Sequence, residues 1–472
     1  MTLGKRCEWS CVLLAFLLTA PMSPIWAQEP EEQPEGAEVM GEEGSGGTRP
    51  RLDFGLEAKA HYRDSDLNRF PVRFPFRPEQ LPVGQTQGFE ETVNAGSHFE
   101  VSTVSLFVNA SWGEGLTGRA KIDFIDLYDR NPTSGDRTVD VDEAWVRFGR
   151  EPEPATLADR RGLYLKIGKL PKFERQDDRH LESYGLVSTA FNRFEDAGAE
   201  LGAHLGRHLY FKLSATAGNP VFIRDPNALA GDNGIDDLLR LPNPDPELKS
   251  GVVILYDAEV EDLDVDGDLE LGGGVGLRFA DEAGRNGLDL LAWGFERTLA
   301  DTVELEGTFY GGDLDLLDGP LGLAPLPVTD DKKREVGGNV WLYLGGFSFF
   351  GQYVDQELGG LPRTGIEGEI AWRFDLPLVW AVGDRQLFTF IAPAVRYSKL
   401  DNDFTFIVDS LRFVPSPSPS LTWDWEKIDA GLRLGIFSGV DLTVEYADNR
   451  FILASGAERE NNELLSTLRW RI

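Results

Sequence analysis

Between residues 166 and 195 six basic side chains, Lys166, Lys169, Lys172, Arg175, Arg179 and Arg193, gather with His180 against Glu174, Asp177, Asp178, Glu182 and Glu195. The stretch is slightly cationic within a chain of 472 residues and net charge -33. Facing rows of opposite charge are what a pore uses to sort solutes, because groups at a constriction meet every permeating ion. The same residues also suit a solvated loop whose internal ion pairs contribute little each. The candidate constriction comprises Lys166, Lys169, Lys172, Arg175, Asp177, Asp178, Arg179, His180 and Arg193.

Other chemistry-bearing groups are sparse. Asp262, Asp264, Asp266 and Gly267 match the first half of a calcium loop, but its twelfth position is Gly273 where a bidentate Glu is needed, so a turn without metal is expected. The histidines, His61, His98, His180, His204 and His208, fall in no paired metal motif and beside no Gly-x-Ser-x-Gly, so neither catalysis nor a cofactor is expected. Aspartates 225, 232, 236, 237 and 245, and again 313, 315, 318, 330 and 331, give two acidic loops suited to solubility. Such an acidic chain cannot bind nucleic acid by neutralising phosphates.

The elements that carry these residues read as strands. Leu52, Phe54, Leu56, Ala58, Ala60 and Tyr62 alternate with Asp53, Gly55, Glu57, Lys59, His61 and Arg63, a period of two with one greasy and one ionic face. The pattern recurs in about 18 segments, many near ten residues long, the length of a tilted strand crossing a bilayer. Short and long connections alternate between them. The expectation is an all-β transmembrane antiparallel β-barrel of about 18 strands, with 16 as the alternative, over residues 51–472, with short periplasmic turns and long outer loops. A soluble β-sandwich or propeller also alternates, but lacks the long strands and has a repeat that is absent here.

Ahead of the strands, Lys5 and Arg6 followed by apolar Val12 to Ala20 and Ala27 before Gln28 read as a signal peptide over 1–27. Residues 28–50, with seven Glu between 28 and 48, read as a disordered acidic periplasmic tail. Both cysteines, Cys7 and Cys11, would leave with the signal, so no disulfide or thiolate site is expected.

Val141-Asp-Glu-Ala-Trp-Val-Arg-Phe-Gly149, then Leu163-Tyr-Leu-Lys-Ile-Gly-Lys-Leu-Pro-Lys-Phe173, resembles the strand pair before the third loop in bacterial outer-membrane porins of the phosphate-selective type. The tail from Trp423 to Ile472 is similar too, although it ends in Ile472 where such barrels end in Phe. The resemblance covers about a fifth of the chain. It implies passive diffusion of small hydrophilic or ionic solutes past a third loop folded into the lumen of a Gram-negative outer-membrane barrel. Outer-membrane lipid, lipopolysaccharide, the barrel assembly machinery and two further copies in a homotrimer are the implied partners. The count of 18 strands together with the Gly-Lys and Asp-Asp-Arg sequences of the third loop also resembles polysaccharide-export barrels, and a secreted soluble β protein stays open as the remaining reading.

Overall fold

The computed structural model describes residues 50–66, 69–72, 88–91, 96–113, 115–125, 139–151, 162–176, 179–191, 195–218, 253–257, 269–281, 284–298, 303–307, 331–358, 360–377, 380–383, 385–402, 424–452, 458–460 and 462–472. The signal and tail segments lie outside them, as do Asp177, Asp178, Arg193 and the Asp262–Gly267 run. Long strands follow one another in antiparallel order. They are β1 (Arg51–Ser65), β2 (Gly96–Trp112), β3 (Leu116–Ile125), β4 (Val139–Gly149), β5 (Leu163–Pro171), β6 (Glu195–Leu205), β7 (Leu209–Thr216) and β8 (Glu270–Ala280). The second half comprises β9 (Asn286–Thr298), β10 (Lys332–Leu344), β11 (Phe347–Leu358), β12 (Leu361–Trp372), β13 (Phe390–Asn402), β14 (Asp424–Phe437), β15 (Val440–Ile452) and β16 (Glu463–Arg471). Each pairs with its chain neighbours, and β1 also pairs with β16, Glu57 opposite Arg471 through Ser65 opposite Glu463, so the sheet closes without an edge.

The ring therefore has 16 strands, the smaller of the two counts expected. The sheet reaches 18 segments through Phe374–Asp375, which lies against β13, and Glu458–Glu460, which lies against β15. Two alternating segments counted toward the ring from sequence, Val253–Asp257 and Val303–Gly307, instead pair with each other in a separate ribbon. Alternation specifies a strand but not its partner, and these two sit within the connections that follow β7 and β9. That shifts the expected turns: 281–285 is a short link on the side of the chain termini, and 217–269 and 299–331 are whole connections on the other side. Links 113–115, 206–208, 345–346 and 438–439 share the terminal side, which is the short-turn rim of an outer-membrane barrel.

Period two sorts each strand by solvent. Leu52, Phe54, Leu271, Val275, Val336 and Leu468 are exposed on the outside, while Arg63, Glu270, Asp429 and Thr467 are buried on the inside. Exposed Trp112, Phe124, Phe148, Phe279 and Trp470 stand near strand ends, as in aromatic girdles. A bulge opposite Lys59 and Ala60 shifts the register, so Phe99 and Val101 share the outer face with Val104 and Leu106 despite the change of parity. An apolar exterior of this kind is a surface for lipid. Leu106→Arg, placing a charge among outward groups in mid-strand, should therefore destabilise the barrel by about 2–4 kcal/mol. Asn109→Asp, inward and opposite Arg119, should leave stability nearly unchanged. Urea unfolding in detergent or liposomes checks both, and equal losses at the two positions would reverse the assigned faces.

Candidate functional site

The third long connection, which leaves β5 at Lys172, enters the ring and runs along the inner faces of β8 to β16. Lys172 is buried and salt-bridged to Glu270 of β8, and Phe173 packs against Phe295 of β9. Asn339 of β10 and Gln352 of β11 both donate to the Glu174 carbonyl, at 2.5 and 3.2 Å. His180 donates its backbone N–H to Glu369 of β12 at 2.9 Å, and its ring Nδ1 lies 2.9 Å from the same oxygen. The N–H groups of Glu182 and Ser183 donate to the two oxygens of Glu445 on β15, at 2.8 and 2.6 Å. Unpaired peptide groups cannot be left in a dry interior, and here charged strand residues pair with them.

Beyond Ser183 the loop turns into a short helix, α1 (Leu186–Ala190), whose Leu186, Val187 and Ala190 are apolar. Its early N–H at Val187 is accepted by Glu367 of β12 at 3.3 Å, and its last carbonyl, on Ala190, accepts from Arg363 at 2.9 Å. Leu186, Val187, Ala190 and Phe191 are sealed against Trp293, Trp341, Phe350, Val354, Leu400 and Trp425 of the surrounding wall. Large buried apolar side chains contribute about 1.5–3 kcal/mol each, so this contact anchors the loop as firmly as its polar bonds. Two inward glycines make room: a Cβ on Gly365 would collide with Phe191, and one on Gly431 with Leu181.

Electrostatics bind the same segment. Burial tends to raise the Glu182 carboxyl, yet Lys59 at 3.0 Å, with Arg433 and Arg179, outweighs it and holds the group down at about 2. Burial also tends to lower the Lys172 ammonium, but Glu270, Glu335, Glu174 and Asp196 prevail and keep it above its ordinary value. Arg396 of β13 is fully buried, bonds Asp429 at 2.9 and 3.0 Å and donates to the Ser183 carbonyl at 2.7 Å. Lys427 of β14 donates to the Tyr184 carbonyl at 2.7 Å.

The nine candidate residues thus fall into different places. Lys172 and His180 hold the loop to the wall. Arg175 pairs with Glu195 and keeps 27 % of its side chain exposed, while Arg179 lies over the Tyr184 ring at 4.3 Å. Lys169 is 3.6 Å from Asp140 and partly exposed. Lys166 is buried, 2.8 Å from Glu151, a turn carboxylate held well below its usual range when Lys212, Lys166 and Arg147 outweigh its burial. Asp177, Asp178 and Arg193 are outside the described residues.

Sequence reasoning missed the β2–β4 wall, which the loop, among the described residues, touches only near its start, through Arg175 beside Glu195. On β2 to β4 Phe107, Arg119, Lys121, Glu143 and Trp145 point inward as ordinary polar-face positions, and only cross-strand pairing brings them together: Phe107 opposite Lys121, Arg119 opposite Trp145. The two aromatics on otherwise ionic faces were the available signal. Nearby, Asp142, Glu143 and Glu195 are the grouping of carboxylates, among the described residues, whose oxygens come within 4.8 Å of one another. Each already meets a cation, Lys121, Arg119 and Arg175 respectively, so the trio is an ion-pair cluster.

No protein-family model matches the chain, and no curated protein matches it. Solved structures that resemble it are outer-membrane proteins. The outer membrane channel DcaP of Acinetobacter baumannii shares 9 % identity over 90 % of this chain and 97 % of its own, with a TM-score of 0.48. OprB of Pseudomonas putida shares 9 % over 89 % and 94 %, with a TM-score of 0.47, and OmpF of Salmonella typhi 9 % over 89 % and 97 %, with 0.43. The fold itself rests on the ring: an all-β antiparallel barrel, closed on itself and apolar on its outside, is built for an outer membrane.

Proposed function

We propose that the chain is an outer-membrane porin through which small hydrophilic solutes diffuse passively past the third loop. The observation that carries this reading is the unequal filling of the ring. Along β8 to β16 loop and wall are packed together, whereas inward charges on β3 stay partly open to solvent, Arg119 at 34 % and Lys121 at 23 % of the side chain. Water and solute then have one side of the lumen to pass through. Lys169, Arg175 and Arg179 are the proposed charged lining of that passage, with Lys172 and His180 setting the loop's position. In this reading the protein does no catalysis, sits among lipid and lipopolysaccharide, is inserted by the barrel assembly machinery and assembles as a homotrimer.

Kinship with the phosphate-selective type rests on the β4–β5 pair and the tail. Phosphate is not the favoured solute, because Arg119, Lys121, Arg147 and Lys166 each have a carboxylate within 3.3 Å. The tight seating of the loop favours a second reading, a polysaccharide-export barrel closed at rest. Reconstitution in a planar bilayer separates the two: steady ohmic steps at low voltage are expected of the porin. Rare or strongly gated openings that become steady only after the loop is shortened would replace it with the export barrel.

A further inference from the structure

The open wall has a chemistry of its own. Phe107 and Trp145 are partly exposed rings on β2 and β4, with the Arg119 side chain of β3 between them, its guanidinium carbon 5.4 Å from the Phe107 centroid. Arg119 meets Glu143 at 3.0 Å, and the Trp145 indole N–H donates to the same carboxylate at 3.1 Å. Lys121 meets Asp142 at 2.6 Å and Asp123 at 3.1 Å. Across the lumen, by contrast, Arg396, Lys427 and Asp429 are wholly buried beneath the loop.

Three properties of this wall choose its ligand. Its cations are all matched by carboxylates, so it offers no excess positive charge to an anion. Its partly exposed charges are the donors Arg119 and Lys121 with the half-buried acceptor Asp142, while Glu143 is buried and holds Arg119 in place, and donors and acceptors side by side bond strongly to groups that can donate and accept at once. Its rings carry cations over part of their surface, Arg119 over Phe107 and Lys166 and Arg147 over Trp145 at 5.1 and 5.8 Å. The rest of each partly exposed ring offers apolar surface whose burial is favourable without any charge on the partner. A solute with an apolar C–H face and a rim of hydroxyls satisfies all three. A dicarboxylate or phosphate satisfies only the donors, and an aromatic hydrocarbon only the rings.

We propose that Phe107, Arg119, Glu143 and Trp145 form a binding subsite for neutral polyhydroxylated solutes, sugars above all, on the β2–β4 wall of the lumen. The proposal rests on the porin reading and names the solute class of that same passage. Sugar rings stack in turn on Trp145 and Phe107 while their hydroxyls meet Arg119, which the buried Glu143 positions. Binding is weak by design, because a conducting site must release what it takes in.

The test measures block of ion current through the reconstituted full barrel by maltotriose, sodium benzoate and inorganic phosphate, in the parent and in three variants. Expected for the parent is concentration-dependent block by maltotriose and none by the two anions. Phe107→Ala with Trp145→Ala should raise the half-blocking maltotriose concentration at least tenfold, with heat-modifiable mobility unchanged. Trp145→Phe, which keeps a ring but loses the indole N–H, should hold most of the block, and Glu143→Gln should weaken it. Block by benzoate or phosphate in place of maltotriose, absence of block in a conducting parent, or equal block in parent and double variant would each overturn the subsite. A parent that forms no channels at all would instead overturn the porin reading beneath it.

Discussion

Replacing residues 174–191 with a short Gly-Ser linker is expected to raise unit conductance severalfold while the barrel still folds. The strands take their backbone bonds from one another, and β1 closes on β16 through a backbone ladder of its own, although the Lys59 and Arg469 side chains on it also reach Glu182 of the loop. What the loop contributes is occupancy of the lumen, where α1 and Phe191 displace water from the inner faces of β9 to β14. A 16-stranded ring without such a plug encloses an aqueous channel. Removing the loop strips partners from Glu367, Glu369, Asp429 and Glu445, but these carboxylates then face water, so no charge is left buried and unpaired. The readout is single-channel conductance, with the mobility shift between unheated and heated samples as the folding control. An unchanged conductance in a folded variant would mean that the current bypasses the loop.

What could be read from the sequence was whatever is local. Leu52 to Tyr62 alternates so cleanly that its two faces follow from period two alone, and the structure puts the greasy one outside. Val253–Asp257 carries the same local signal yet pairs off the ring, because a strand's partner is fixed by contacts far along the chain. The charged loop illustrates the same limit. Lys172 and His180 stood out as basic residues, but their roles depend on Glu270 and Glu369, 98 and 189 positions away. Gly365 and Gly431 carried no signal, since only the docked Phe191 and Leu181 show why a side chain cannot be there. Trp145 was visible as a strand residue and not as a lumen ring, for its neighbours Arg119 and Phe107 belong to other strands.

Arg396→Met should release the docked loop without unfolding the barrel. Arg396 bonds Asp429 through two nitrogens, lies 3.7 Å from Glu369 and donates to both the carbonyl and the hydroxyl of Ser183, all out of contact with water. Removing one partner of such a buried pair costs about 3–5 kcal/mol, because the remaining charge keeps its burial and loses its match. Lys427, 3.0 Å from Asp429, would then face Asp429, Glu369, Glu367 and Glu445 as the main neighbouring cation. The strand ladder cannot relieve this, but the loop can: leaving its seat admits water to the carboxylates at the expense of the α1 contacts. Trypsin is therefore expected to cut at Arg175 or Arg179 in the variant and not in the parent, and conductance should rise toward that of the loop-deleted barrel. Arg396→Met combined with Asp429→Leu removes both charges and should recover much of the protection, as apolar replacement of a buried pair often does. A single variant as resistant to trypsin as the parent would show that the apolar seat of Leu186, Val187 and Phe191 holds the loop without the ion pair.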